Sequence, residues 1–239
     1  MIQNFFSKLK NFSKSTNSIT PEYTSDYQEG IRQFAIDGAN KIIPILIEEF
    51  HPASVLDVGC GTAEWVAKAA SLGVEDFMAI DMEYATATLA IPKDHFKVVN
   101  LNNGFDLKRK FDLILNIEVA EHLQPENADR FIDSLVKHSD QILFSAALPV
   151  KNEFHVNEQY WEYWIEKFAQ RGYLVIDMIR PNIWDEPKVA AAYKSDMLVF
   201  LKVNLPRAQE LAKQYPFKNI IHPELFGCVM QKFYKGKTF

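Results

Sequence analysis

The chain has 239 residues and a formal charge of −5; 48% of its residues are apolar and 24% charged. Those values suit one α/β domain with decorations and ample core material, and they speak against a strongly basic nucleic-acid-binding face. Cys60 and Cys228 are too few and too far apart for a disulfide framework or a zinc cluster, so no metal is expected and the reducing cytoplasm is the expected compartment. No run approaches the roughly 18 apolar residues of a membrane span, and the N-terminus lacks the apolar stretch of a signal peptide, so stable membrane insertion is not expected.

In chain order, residues 1–26 read as a flexible tail. Phe5, Phe6, Leu9 and Phe12 stand among Lys8, Lys10 and Lys14, and residues 13–26 are rich in Ser, Thr and Asn. The tail reads as polar with a few apolar residues; a weak membrane-surface helix is the alternative. Asp26 is placed to cap a helix from Tyr27 to Phe50, in which Ile31, Phe34, Ala35, Ile42, Ile45 and Leu46 recur at helical spacing. Pro44 should kink or split it. The pattern then alternates: strand Ala53–Val58, helix Thr62–Leu72, strand Asp76–Ile80 ending at Asp81, strand Phe96–Val99, strand Phe111–Ile117, helix Pro125–His138, strand Gln141–Ala147 and helix Glu158–Gln170. Strands Tyr173–Ile179 and Met197–Val203 follow, with a loop about Pro181–Pro187 between them and a helix Pro206–Gln214 beyond. Alternation of strand and helix implies right-handed crossovers and a mostly parallel sheet of about seven strands. The last two strands should form an antiparallel hairpin at one edge. Residues 205–239 read as an extension docked on the same domain.

The segment Val55-Leu56-Asp57-Val58-Gly59-Cys60-Gly61-Thr62 is strand, glycine turn, then helix. Glycines there permit positive φ and close backbone approach to a ligand. In an open α/β sheet such ligands sit at the carboxyl ends of the strands. The position of a third dinucleotide-fold glycine holds Glu64, and no Gly-Lys-Ser/Thr of a P-loop occurs. Asp57 and Glu64 would repel pyrophosphate but suit a cation, as in S-adenosylmethionine, which carries a sulfonium and an ammonium and no phosphate. Asp81 follows the second strand, 24 positions after Asp57, where a carboxylate can accept both ribose hydroxyls. Asn100-Leu101-Asn102 follows the third strand, placed to meet adenine. Asn116-Ile117-Glu118 ends the fourth, on the sulfonium side.

On these residues the chain resembles the class I S-adenosylmethionine-dependent methyltransferases, from about Ala53 to Val203. Val55–Gly61 looks like their first motif and Asp81 like their ribose acid. Two further stretches, Glu118-Val119-Ala120-Glu121-His122-Leu123 and Phe144-Ser145-Ala146-Ala147 with His155-Val156-Asn157-Glu158-Gln159 and Tyr160-Trp161, are similar to a bacterial subgroup linked to surface-glycan synthesis. The resemblance implies a Rossmann-like doubly wound α/β fold with 27–204 as the methyltransferase domain. It also implies S-adenosylmethionine as cofactor, held by Asp57, Gly59, Cys60, Gly61, Asp81, Met82, Asn100, Leu101, Asn102, Ile117 and Glu118. The chain departs from the subgroup at Ala63, where a third glycine is usual; alanine fits if φ stays negative. It departs also at Asn100, where an acid is common; asparagine can still bond the adenine amine through its carbonyl.

Methyl transfer is an in-line displacement at carbon, so the protein mainly aligns the reactants. A hydroxyl acceptor must also lose its proton, which suits a histidine. Of six histidines, His122 and His155 lie at strand carboxyl ends on the expected ligand side. If one helical turn follows the fourth strand, Glu118 shares a face with His122 and can orient its ring or bind substrate. Glu118, His122 and His155 are the catalytic candidates. Asn157, Glu158, Gln159, Trp161 and Arg180 are the acceptor-binding candidates, with Asn157 alternatively a helix N-cap. Trp161, Trp164 and Tyr160 could stack on a sugar face; core packing is the bland alternative for the tryptophans. Arg180 could meet an anionic acceptor or simply pair with Asp177 or Asp185. Cys60 matters in the turn for its small size.

The reaction expected is O-methylation of a sugar, sugar nucleotide, glycan precursor or other small polar acceptor. Methylation of a protein, lipid or phosphate-containing metabolite is the alternative within enzymes. The motif used on nucleic-acid amines is absent after the fourth strand, so no nucleic-acid partner is expected. A non-catalytic cofactor-binding scaffold is the third reading. A homodimer could form through the N-terminal helix or the C-terminal extension.

Overall fold

The computed structural model describes residues 25–234 apart from 84, 86, 87, 151 and 153. The tail residues 1–24, with their aromatic and lysine positions, lie outside the described residues, as do 235–239.

Helix α1 (Ser25–Phe50) places Asp26 inside its first turn rather than before it. It runs through Pro44 without a break, so the expected split does not occur. Proline removes the hydrogen bond to the carbonyl four residues back, which here belongs to the exposed residue Asn40. Ala39, Ile42, Ile43 and Leu46 are the buried stripe that seats α1 on the sheet.

The sheet has seven strands: β1 (Ser54–Val58), β2 (Asp76–Asp81), β3 (Phe96–Val98), β4 (Leu113–Ile117), β5 (Gln141–Ser145), β6 (Tyr173–Ile176) and β7 (Leu198–Lys202). Their order is β3-β2-β1-β4-β5-β7-β6. The chain moves outward from β1 through β2 to β3, then returns to β4 on the other flank. The reversal leaves a crevice at the carboxyl ends of β1 and β4, where ligands bind in such sheets. Strands β1 to β5 pair in parallel; β7 runs antiparallel to both β5 and β6. The expected antiparallel pair is thus present at one edge. Its connection is not a plain loop, because α5 (Ile179–Ile183) and α6 (Ala191–Asp196) fold within it.

Residue alternation along the central strands feeds two cores. Val55, Leu115 and Leu143 pack with α1 and α2 (Glu64–Ser71). Leu56, Ile114 and Phe144 pack on the opposite face with Phe131 and Leu135 of α3 (Ala128–His138) and Trp164 and Phe168 of α4 (Trp161–Ala169). Beyond β7, α7 (Ala208–Gln214) adds Ala208 and Leu211 to the first core. A helix not foreseen from sequence, α8 (Pro223–Tyr234), ends the described chain. Among the described residues no helix is long and apolar enough to cross a membrane.

Candidate active site

The turn after β1 is held against β2. The amides of Gly59 and Cys60 both donate to the Ile80 carbonyl, at 2.8 and 3.3 Å. Gly59, Gly61 and Ala63 have φ of +73°, +53° and +63°. The two glycines serve different ends. A Cβ on Gly59 would lie 2.4 Å from Val119 Cγ2, whereas one on Gly61 would meet no protein atom within 4 Å. Gly59 is demanded by packing; Gly61 keeps open space over the turn. Ala63 takes the left-handed conformation, not the negative φ that would suit alanine. Its amide donates to the Cys60 carbonyl at 2.7 Å, so closure of the turn outweighs the Cβ strain.

Asp81 closes this side. Its carboxylate accepts from the Gly61 amide at 2.7 Å and from the Met82 amide at 2.6 Å. Asp57 is buried and accepts from the Val66 amide at 3.3 Å. Burial pushes its carboxyl up to about 7, opposed by the Val66 amide and helped by the charge of Asp81. Burial also pushes the Cys60 thiol well up, so it is inert and small, as expected. Glu64 does not face a ligand as a free charge, because Arg32 Nε donates to it at 2.5 Å. Met82 and Asn100 are exposed beside Asp81. Asn100 accepts from the Asn102 amide at 3.1 Å and so caps the turn after β3. Leu101 is buried in the core. Asn102 departs from the adenine role: its side-chain oxygen accepts from the Gln124 amide and Asn127 Nδ2, at 3.1 and 3.2 Å, bracing the segment before α3. The space over Gly61 and the Asp81 carboxylate fit the methionine and ribose parts of S-adenosylmethionine.

The other half of the crevice is a polar cluster, half-buried at Glu118, His122 and His155 and fully buried at Glu121 and Asp196. Ile117 ends β4 buried; Glu118 follows with φ +55° and then Ala120–His122 form a single 3₁₀ turn. This geometry defeats the expected Glu118–His122 pairing, which needs an α-helical turn. Glu118 instead accepts from Ser145 Oγ at 2.8 Å. Burial pushes its carboxyl up to about 7, opposed by the Ser145 hydroxyl and by Asp196 on α6. Glu121 is fully buried, and neither carboxylate oxygen has a hydrogen-bond partner. Burial, then the charge of Glu118, push its carboxyl up; its own amide and that of Ala147 lower it but lie too poorly placed to hydrogen-bond it. His122 Nδ1 faces the Phe154 carbonyl at 3.2 Å, and burial followed by the neighbouring His155 push its imidazole down to about 4. The His122 and His155 rings stand edge to face, centroids 4.8 Å apart. His155 Nδ1 contacts Glu158 Oε1 at 2.9 Å and its Nε2 contacts Asn152 Nδ2 at 3.1 Å.

Two acceptor-side expectations and one capping expectation are corrected. Arg180 is buried at 1% exposure within α5. Its guanidinium binds both Asp177 oxygens and the Ser195, Lys218 and Ile220 carbonyls, so it ties the chain beyond β7 to the sheet and does not face an acceptor. Trp161 is core: 4% exposed, its indole N–H donating to the Ser195 carbonyl at 3.0 Å, with Phe217 against it. Asn157 is no N-cap, because α4 begins at Trp161; it is buried and accepts from Gln159 Nε2 at 3.0 Å. Trp164 is core as well, whereas Tyr160 is 58% exposed. Sequence reasoning gave no role to Glu121, Ser145 or Asp196. Ser145 had a usable signal, being polar at the end of an apolar strand; nothing local marks Asp196.

A parallel sheet reversing at β1 and β4, a phosphate-free glycine turn and a carboxylate ending β2 define the class I methyltransferase architecture. A family model described as a methyltransferase domain matches residues 27–187, and the chain belongs to that family. It is an enzyme, a methyltransferase dependent on S-adenosylmethionine. Solved structures carry the same fold. A candidate O-methyltransferase of Nostoc punctiforme PCC 73102 is 12% identical over 84% of this chain and 69% of its own, with a TM-score of 0.58. An amino pentose methyltransferase of Micromonospora echinaspora, involved in calicheamicin biosynthesis and solved with S-adenosylmethionine, is 12% identical over 79% of this chain and 100% of its own, TM-score 0.54. The magnesium protoporphyrin IX methyltransferase of Synechocystis PCC 6803, solved with S-adenosylhomocysteine, is 13% identical over 83% and 94%, TM-score 0.51. Comparison with curated proteins by sequence gave no match.

Proposed function

We propose that the enzyme methylates a hydroxyl of a small polar acceptor, a sugar, sugar nucleotide or glycan precursor, in the cytoplasm. One observation carries this reading: a cluster of half-buried Glu118, His122 and His155 with buried Glu121 and Asp196 adjoins the cofactor turn. The adjacency is direct, since Val119 packs on Gly59. S-adenosylmethionine supplies the methyl group on an already good leaving group. This chain's work is then to bind, orient and deprotonate. Asp81, Gly59, Gly61 and the neighbouring Asp57, Cys60, Met82 and Asn100 hold the cofactor, with Ile117 and Glu118 toward its sulfonium. The cluster takes the acceptor's proton through Glu118, His122 or His155. Gln159 and Glu158, with exposed Tyr160 at the rim, bind the acceptor. The amino pentose methyltransferase shares the fold, which lends a sugar acceptor some support. Residues 27–204 act as the catalytic unit, and the Arg180 contacts tie the segment about Lys218 and Ile220 to it.

The test is turnover of S-adenosylmethionine against a panel of nucleotide-linked sugars, read as S-adenosylhomocysteine and a methylated product by mass spectrometry. Asp81→Ala should weaken cofactor binding in calorimetry about 100-fold, the cost of two hydrogen bonds to a charged group. Wild-type protein that binds no cofactor, or turns over only proteins or lipids, would sink the proposal.

A further inference from the structure

Glu121, His122 and His155 bring one ligand atom each within 4.8 Å of one another. Glu121 and His122 come from the turn after β4, and His155 from the connection between β5 and α4. The same residue joins the two segments, because the Glu121 carbonyl accepts the Val156 and Asn157 amides at 2.9 and 3.0 Å. Its side chain is the unusual part: no exposed surface, and two carboxylate oxygens without hydrogen-bond partners. A buried carboxylate left so is costly unless a cation or metal meets it.

The hydrogen bonds of the histidines fix their tautomers. A carbonyl only accepts, so His122 Nδ1 carries its proton and donates to Phe154, which makes Nε2 the unprotonated nitrogen of the ring. The Phe154 amide donates to Asn152 Oδ1 at 3.2 Å, which orients that amide so that its Nδ2 donates to His155 Nε2. His155 Nδ1 therefore carries the proton and donates to Glu158. A backbone carbonyl behind one imidazole and a carboxylate behind the other are the outer partners that orient metal-binding histidines.

We infer that Glu121, His122 and His155 bind a divalent first-row transition-metal ion. Two imidazoles favour such a metal over magnesium or calcium, which prefer all-oxygen sites. Bonds of about 2.1 Å place ligand atoms about 3 to 3.5 Å apart, so side-chain rotations of about 1 Å close the trio, with His155 exchanging Asn152 for the ion. Three protein ligands leave open positions, and the acceptor's oxygen is the group to take one. That role rests on the proposed O-methylation. It makes the imidazoles ligands and leaves Glu118 as the proton acceptor, and it replaces the expectation of a metal-free site.

The experiment titrates chelator-treated full-length protein with Mn²⁺ alone, read by loss of its free electron-paramagnetic-resonance signal, and with Zn²⁺ alone by calorimetry. One ion per chain is expected. His155→Ala and Glu121→Gln should weaken binding at least about tenfold, and Glu158→Gln, which removes only an outer partner, about tenfold. Thermal melts identify any variant that fails to fold, and Glu158→Gln keeps the test independent of the buried Glu121. The site is overturned if neither ion binds more tightly than about 1 mM, or if His155→Ala binds as wild type does. S-adenosylmethionine binding is measured on the same samples. Cofactor binding with no ion bound overturns the metal site and leaves the methyltransferase reading standing. An ion bound by protein that methylates no hydroxyl acceptor keeps the site and overturns the reading of its role.

Discussion

The two halves of the crevice are built on opposite principles. The cofactor half is short-range: a turn of consecutive residues, Gly59 to Ala63, latched to the next strand by backbone amides and by Asp81. Its polar atoms are mostly satisfied, and it leaves open space over Gly61. The proposed acceptor half gathers side chains from three separate segments, after β4, between β5 and α4, and on α6. Its carboxylates are buried and partly unpartnered. The first half is made to receive a known shape. The second gathers carboxyls whose charged forms burial disfavours and which a bound cation would favour.

That contrast can be broken in graded ways. The largest effect should come from Arg180→Ala, which strands Asp177 in the interior and should cost about 4 kcal/mol, read by chemical denaturation. An unchanged melt with a raised KM would instead return Arg180 to the acceptor. Next is Gly59→Ala. A methyl driven into Val119 at positive φ should cost about 3 kcal/mol in the same assay, combining overpacking with backbone strain. Gly61→Ala sharpens the comparison within one turn. It should lose only about 1 to 2 kcal/mol of stability, from φ alone, yet impair cofactor binding in calorimetry because its methyl enters the ligand's space. If both variants behaved alike, the division between packing and ligand space would fail.

The most gradual effect, spread over several pH units, is a pH dependence. Asp57 is raised to about 7 in the folded protein, from an ordinary carboxylate value of 3.8. Its burial costs no stability below the ordinary value. The cost grows as pH rises between 3.8 and about 7 and is complete above that, because the unfolded chain ionises first. A cationic cofactor favours the carboxylate, so binding should release a proton. Affinity should strengthen about tenfold per unit as pH rises toward 7 and level off above it. Asp57→Asn should flatten that profile; a slope surviving in the variant would assign it to another group.

Much of this enzyme was legible without coordinates. The alternation of apolar runs determined the strands and most helices, since strand and helix periods are local properties of the chain. The spacing of Gly59, Gly61 and Asp81 determined the cofactor turn, because a tight turn and a close backbone approach are short-range steric demands. The tertiary structure alone decided the sign of φ at Ala63, the neutralisation of Glu64 by Arg32, the diversion of Asn102 to the segment before α3 and the burial of Arg180 among carbonyls from beyond β7. It alone brought Glu121, His122, His155 and Asp196 together. No local pattern encodes which charges share a low-dielectric pocket: their meeting depends on how distant segments pack, and their energies depend on what else is buried beside them.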